Sequence, residues 1–487
     1  MQQLPADFIL NMRQQLGDSE AERLFESLDS QSPVSIRKNS AKWHGGEIGT
    51  PIPWCEEGRY LDSRPQFTTD IPFAAGAYYV QEAGSQFIDH ILRSEGICSG
   101  KILDMCAAPG GKSTLYSSAV GSRGLVVANE YVRNRANILA DNIRKWGLGN
   151  VVVTNNDPAH IAAFEEWFDV VAVDAPCSGE GMFRKDEVAR TEWSANSVEV
   201  CAARQKTILA EAWKSLKAGG LLIYSTCTFN TTEDEGILEW MNSEWGDEIC
   251  PSTTITPPVG CDAEQVKVGD FQGFKFFPHR VDSEGFFVAV ARKREDVGGR
   301  SSAPKGRKKI MADAPKEAVR ELSKWIAEGQ NVRFAAVADT FYAYPADYYE
   351  DIKMLAHNLT VIYSGVEMGQ IFKGKLKPEW PLSQSVWYNI NAIPAVEVEC
   401  ETALDYLRKK DITAAQFEEG LNLVVCDGYP LGFVKRIGNR VNNLAVEHPV
   451  PSKAPAPFPA GGEHMVFPLC PDHRAIPYIL VFNGQCC

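Results

Sequence analysis

No stretch of the 487 residues approaches the roughly 20 consecutive apolar side chains that a membrane-spanning helix needs. The opening, Met1-Gln-Gln-Leu-Pro-Ala-Asp7, has no basic segment followed by an apolar core. Neither a membrane span nor a secretory leader is expected, and the expected location is the cytoplasm. Cys-x-x-Cys pairs are missing too, and the thirteen cysteines are scattered. That pattern fits reduced thiols better than zinc sites or a disulfide framework, so no metal is expected. His279 has no histidine or cysteine at ligand spacing. The Gly-x-x-x-x-Gly-Lys-Ser/Thr spacing of a Walker loop is absent, which excludes that class of phosphate binder. Positive charge is scarce as well: 49 lysines and arginines against 63 acids leave a net charge of −14. A nucleic-acid partner would then depend on local basic clusters, because phosphate contacts dominate such affinity.

What is present points to an α/β enzyme. A hydrophobic content of 44% over this length suits two to four globular domains. Short apolar runs at 101–105, 125–129, 151–154, 169–173 and 221–224 alternate with helix-length amphipathic stretches. This is the pattern of a mostly parallel sheet with helices on both faces. Ligands of such sheets bind at the carboxyl ends of the strands, and four features of the chain fall there.

The first is a glycine turn, Asp104-Met-Cys-Ala-Ala-Pro-Gly-Gly-Lys112, where Gly110 and Gly111 allow backbone amides to approach a ligand at a helix start. Twenty residues past Gly110, Glu130 ends a strand and is placed to accept hydrogen bonds from ribose hydroxyls. Asp157 follows the next strand, within reach of an adenine amino group. The last feature is a pair of cysteine motifs, Asp174-Ala-Pro-Cys177-Ser-Gly179 and Ser225-Thr-Cys227-Thr-Phe229. A single cysteine after a strand is usually a small buried hydrophobe. Two on neighbouring strand ends can face one pocket. Thr231-Thr-Glu-Asp-Glu235 reads as the capped start of a helix whose N-terminus favours a thiolate at Cys227. Proline holds Asp174 on a rigid turn. A Cys177–Cys227 disulfide is the structural alternative.

Taken together, Ala-Ala-Pro-Gly-Gly-Lys, Asp-Ala-Pro-Cys-Ser-Gly and Ser-Thr-Cys-Thr resemble the motifs of the Sun-type RNA (cytosine-5) methyltransferases. The resemblance implies a Rossmann-like core that uses S-adenosyl-L-methionine. It implies a donor site lined by Cys106, Ala107, Ala108, Pro109, Gly110, Gly111, Lys112, Glu130, Asp157 and Asp174. It also implies Cys227 as nucleophile, Cys177 as the residue that assists release, and Asp174 beside the base. Relatives of this fold that methylate exocyclic amino groups carry Asp/Asn-Pro-Pro-Tyr/Phe where this chain has Asp-Ala-Pro-Cys.

Around that core, residues 1–80 read as an N-terminal α+β region that contacts RNA or packs on the catalytic domain at 81–293. Met182-Phe-Arg-Lys185 is expected on a substrate-contacting loop, and the arginines and lysine of 131–146 on a solvated face. A basic linker follows at 294–314. The region 315–444 resembles the PUA-like RNA-binding extension of the bacterial small-subunit members, with Lys435, Arg436 and Arg440 as its basic residues. The proline-rich tail, 445–487, departs from that pattern and reads as disordered. The expected activity is cytosine-5 methylation of small-subunit ribosomal RNA by a monomer. Transfer RNA is the alternative substrate, and a non-catalytic RNA-binding assembly factor is the alternative class.

Overall fold

Helices form first where apolar residues recur at intervals of three and four. Ala6–Leu16 buries Phe8 and Met12, and Asp18–Leu28 buries Ala21, Leu24 and Leu28. The computed structural model describes residues 3–299, 301–304 and 310–445. The tail after 445 and the most basic part of the linker lie outside the described residues. The two helices are joined at Gly17, whose φ of +79° lies in the left-handed region. Their apolar faces pack on Phe183, Trp193, Phe229 and Phe277. The N-terminal pair therefore covers the two segments that carry the cysteine motifs.

Next comes an antiparallel sheet of β1 (Val34–Lys38), β2 (Thr50–Ile52), β3 (Cys55–Leu61) and β4 (Tyr78–Val80), in the order β2-β3-β1-β4. Buried Arg37 on β1 donates from Nε to Gln81 and from Nη2 to the Gly111 carbonyl at 3.1 Å and to Thr114 at 2.6 Å. Its burial holds the guanidinium down to about 10. This arginine fastens the small sheet to the helix that starts at the glycine turn.

The central sheet contains β5 (Gly100–Asp104), β6 (Gly124–Asn129), β7 (Val151–Thr154), β8 (Phe168–Asp174) and β9 (Leu216–Thr226). These run parallel in the order β9-β8-β5-β6-β7. Valines and leucines alternate between the two faces. Leu103, Val127, Val171 and Val173 enter one core, and Ile102, Val126, Val170 and Ala172 enter the other. Each of these valine, leucine and isoleucine side chains contributes about 1.5–3 kcal/mol on burial. Antiparallel strands Phe286–Lys293, Phe271–Phe276 and Glu264–Val268 extend the sheet beyond β9.

At the other edge the strand Val361–Ser364 pairs antiparallel with β7. Asn156 clamps this junction through hydrogen bonds to both the amide and the carbonyl of Thr360. Met311, Ala335, Tyr344, Tyr349, Ile352 and Leu355 join the same core as Leu103 and Val171. The boundary expected at 294–314 therefore does not separate two packing units: the edge of β7 is completed by chain from beyond it. A further four-stranded sheet of Ala395–Glu397, Gly420–Cys426, Tyr429–Ile437 and Arg440–Asn443 is the last element among the described residues. Among the described residues no helix is long and apolar enough to cross a membrane.

Cutting the chain after Lys293 should leave β7 as an open, fully apolar edge. The truncated protein is expected to elute largely as aggregate in size-exclusion chromatography with light scattering. A truncation as monodisperse as the full chain would show that the distal strand does not matter to the sheet.

Candidate active site

The parallel register sets Asp174, at the end of β8, beside Ser225, near the end of β9. Both segments leave the sheet at its carboxyl edge and turn back over it. Cys177 and Cys227, fifty residues apart in sequence, come together with their sulfurs 3.1 Å apart, and both are thiols. The Cys227 amide donates to the Cys177 sulfur at 3.3 Å. Asp174 receives the Ser225 hydroxyl on one oxygen at 2.7 Å and the Lys112 ammonium on the other at 2.8 Å. Burial draws the Lys112 ammonium down, but Asp174, then Cys227 and Asp104, outweigh it and raise its pKa. A fixed positive charge thus stands beside the carboxylate and the thiol.

That charge replaces the helix N-terminus expected near Cys227. The helix starts at Glu235, not at Thr231, and has no side-chain cap. The acidic run that looked like a first turn is used otherwise. Glu233 points back into the protein, where its Oε1 accepts from the Ser178 amide and from Gln205, both at 2.9 Å. Its Oε2 accepts from Asn230 at 2.8 Å and from the Ser178 hydroxyl. Glu180 works in the opposite direction. Its Oε2 accepts from the Thr228 hydroxyl at 2.6 Å and the amides of Phe229 and Asn230 at 2.8 and 2.9 Å, and its Oε1 accepts from Trp193. Both carboxylates are fully buried. Each cysteine segment therefore supplies an acid that holds the other. Sequence reasoning missed both; the available signal was a lone glutamate between glycines, Gly179-Glu-Gly181, next to an apolar stretch.

The glycine turn lies at the end of β5. Gly110 adopts φ +115°, and a Cβ there would come within 3.0 Å of Leu139. The helix Gly111–Val120 has no side-chain cap, so its first amides are left to a ligand. Arg135 and Asn142 hold the Ala108 and Pro109 carbonyls. These contacts, and those of Arg144 with Glu367 and Lys145 with the Phe73 ring, put three basic residues of the helix Arg133–Trp146 to structural use, and only Arg133 lies on the expected solvated face. Buried Glu130 ends up just past β6. Its Oε1 takes the Val132 amide at 2.9 Å, while its Oε2 lies 3.8 Å from Arg135, beyond hydrogen-bonding distance. Asp157 is exposed just past β7 and caps the short helix Pro158–Ile161 through Ala159. Cys106 is half-buried, and burial pushes its thiol up.

Uncapped amides at a helix start, a buried carboxylate with one uncommitted oxygen and a glycine cradle fit a nucleoside whose other end is charged. The expected substrate loop, 182–185, does not fit its expected role. Phe183 is buried in the N-terminal core, and Arg184 pairs with buried Glu284 at 3.6 Å.

Comparison with known proteins agrees with this architecture. Residues 97–292 match the model of 16S rRNA methyltransferase RsmB/F, residues 4–83 its RsmF N-terminal domain, and residues 393–445 the RsmF PUA domain. Ribosomal RNA small subunit methyltransferase F of Erwinia tasmaniensis is 30% identical over 475 residues, covering 90% of this chain and 95% of that protein. The protein of the same name from Shigella boydii is 32% identical over 414 residues, covering 81% and 83%. The chain belongs to the ribosomal RNA small subunit methyltransferase F family. The family's enzymes are S-adenosylmethionine-dependent RNA methyltransferases. A solved structure of PH0851 shares the fold, with a TM-score of 0.51 and 23% identity, covering 60% of this chain and 66% of that one. The PUA match covers residues 393–445, the later part of the 315–444 region.

Two predictions rest on this geometry. Glu180→Ala should slow single-turnover methyl transfer at least about 100-fold, because the cysteine loops lose their mutual register. Donor affinity by calorimetry should change less than about threefold, and parallel loss of both would mean that Glu180 merely holds the fold.

Asp104 is buried and pushed up to about 7 by that burial, despite the Ser113 hydroxyl it accepts. The folded protein therefore holds this proton between the ordinary value of 3.8 and about 7 while the unfolded chain releases it. Its stabilising effect is complete below that window and is lost as pH rises through it, by a few kcal/mol at most. The melting temperature of Asp104→Asn should fall less between pH 4.5 and 7.5 than that of the wild type, to be read by scanning calorimetry. Identical slopes would refute the assignment.

Proposed function

We propose that the chain methylates carbon 5 of a cytosine in small-subunit ribosomal RNA, with Cys227 as nucleophile. The observation that supports this most is the approach of two sulfurs to 3.1 Å beside Asp174 and Lys112 at the donor edge of the sheet. Amino-group methylation needs no thiol. Carbon 5 of cytosine is a poor nucleophile until a group adds to carbon 6.

In this reading the Cys227 thiolate attacks carbon 6, and the ring electrons move toward carbon 5 and N3. The Asp174 carboxyl, held in place by Ser225 and Lys112, carries a proton to N3 as the ring electrons move there and takes it back when the carbon 6–sulfur bond breaks. Residues 106–112, Glu130, Asp157 and Asp174 would hold S-adenosyl-L-methionine, which would supply the electrophilic methyl group for carbon 5 and leave as the thioether S-adenosylhomocysteine. Cys177 or a water it positions then removes the carbon 5 proton, and the carbon 6–sulfur bond breaks to restore the base and the Cys227 thiolate. Lys112 stabilises that thiolate throughout.

The substrate assignment follows the names of the relatives, small-subunit rRNA methyltransferases, and the PUA match at 393–445. Exposed Lys435 and Arg440 lie on the last hairpin of that region and supply local positive charge that the net −14 conceals. The same core would serve transfer RNA.

Cys227→Ala should abolish methyl transfer while retaining donor binding. Cys177→Ala should leave RNA covalently attached to the protein, seen as a shifted band on a denaturing gel, together with loss of turnover. Tritium from the donor should appear in 5-methylcytidine of 16S RNA. Label in N4- or N6-methylated nucleosides, or full activity in Cys227→Ala, would sink the reading.

A further inference from the structure

The C-terminal sheet brings together a second group of sulfur and oxygen ligands, remote in sequence from the site above. Cys426 ends the strand Gly420–Cys426 and is fully buried. Asp427 and Gly428 then make the hairpin turn, both at positive φ, +50° and +76°. Parallel pairing of Ala395–Glu397 with this strand, Glu397 opposite Val425, carries the chain so that Cys400 opens its helix directly over the turn. The Cys400 and Cys426 sulfurs lie 3.6 Å apart, and the Cys400 sulfur lies 3.5 Å from the Asp427 Oδ2. All three ligand atoms fall within 4.8 Å of one another.

The two distances from the Cys400 sulfur match edges of a coordination tetrahedron. With zinc–sulfur bonds of about 2.3 Å and a zinc–oxygen bond of about 2.0–2.2 Å, tetrahedral angles put sulfur about 3.8 Å from sulfur and about 3.5 Å from oxygen. What distinguishes the group is its chemistry and convergence: two thiols and a carboxylate, from two separate segments, meet on one turn. We propose that Cys400, Cys426 and Asp427 form a binding site for a thiophilic divalent cation, zinc above all. Two thiolates and a carboxylate select such an ion over magnesium or calcium, which favour all-oxygen sets.

Cys400 and Asp427 are exposed, so the fourth position opens to solvent and takes a water. His44 is committed elsewhere on the same turn. Its Nε2 lies 2.9 Å from the Asp427 carbonyl, its Nδ1 3.0 Å from the Lys42 carbonyl, and its ring stacks on Tyr429 at 3.8 Å. The ion would thus stiffen the turn on which the N-terminal region rests. On binding, each thiol gives its proton to solvent and its sulfur pair to the cation, with no change of oxidation state. Because binding displaces both thiol protons, affinity should weaken as pH falls. Cys-x-x-Cys spacing, on which the expectation of no metal rests, does not bear on this set, because its sulfurs are 26 residues apart in sequence.

The test uses the full chain, purified under reducing conditions, stripped with a chelator and reloaded with zinc alone or cobalt alone. One zinc ion per chain by mass spectrometry, and a sulfur-to-cobalt charge-transfer band, are expected in the wild type and in the control Cys98→Ser. Both should be lost in Cys400→Ser and in Cys426→Ser, and Asp427→Asn should keep the band but weaken affinity at least about tenfold. Circular dichroism of each variant checks that the fold is retained; variants that misfold are replaced by alkylation of the native protein with and without zinc, where the ion should protect Cys400. Equal metal uptake in wild type and Cys400→Ser, no uptake at all, or a Cys400–Cys426 disulfide formed in air with no metal affinity would overturn the proposal.

Discussion

Two buried carboxylates facing opposite ways hold the reactive end of this molecule together. Glu180 leaves the Cys177 segment to satisfy the amides after Cys227, and Glu233 leaves the Cys227 segment to satisfy Ser178 after Cys177. Loops normally cannot be buried, because their backbone polar groups lose water without gaining partners. Here the partners come from the neighbouring loop, so neither segment is satisfied without the other. The 3.1 Å approach of the sulfurs is a consequence of that mutual dependence.

Everything around the pair serves the same constraint. The N-terminal helices close over Phe183 and Phe229, so the aromatic residues flanking both cysteine motifs are core residues of a region that begins more than 150 positions earlier. Gly181 and Gly285 touch so closely that a Cβ on either would collide with the other's backbone, which seats the loop against the antiparallel extension. On the far side, Arg37 ties the small sheet to the donor-side helix. The site is built where three packing units converge, and its polar groups are spent on holding position.

The electrostatics follow the same division. Acids are concentrated at the sheet edge, Asp104, Glu130 and Asp174, and one lysine, Lys112, sits among them. A chain with a net charge of −14 can still present local positive charge, because charge acts over about 10 Å at ordinary ionic strength.

Local pattern alone determined the strand–helix alternation, the parallel sheet and the placement of each motif at a strand end, since periodicity and glycine chemistry are properties of short windows. The segment 131–146, alternating with the strands, forms the helix Arg133–Trp146 for the same reason. Pairings between distant segments were not. Nothing in Thr-Thr-Glu-Asp-Glu distinguishes a capping run from a buried acid, because the difference is whether Ser178 waits opposite. Phe183 and Arg184 read as a surface loop until the N-terminal helices are packed on them. The edge strand at Val361–Ser364 and the Cys400–Cys426–Asp427 cluster belong to the same class, for a ligand set and a strand partner exist only once the tertiary fold has brought remote residues within a few ångströms.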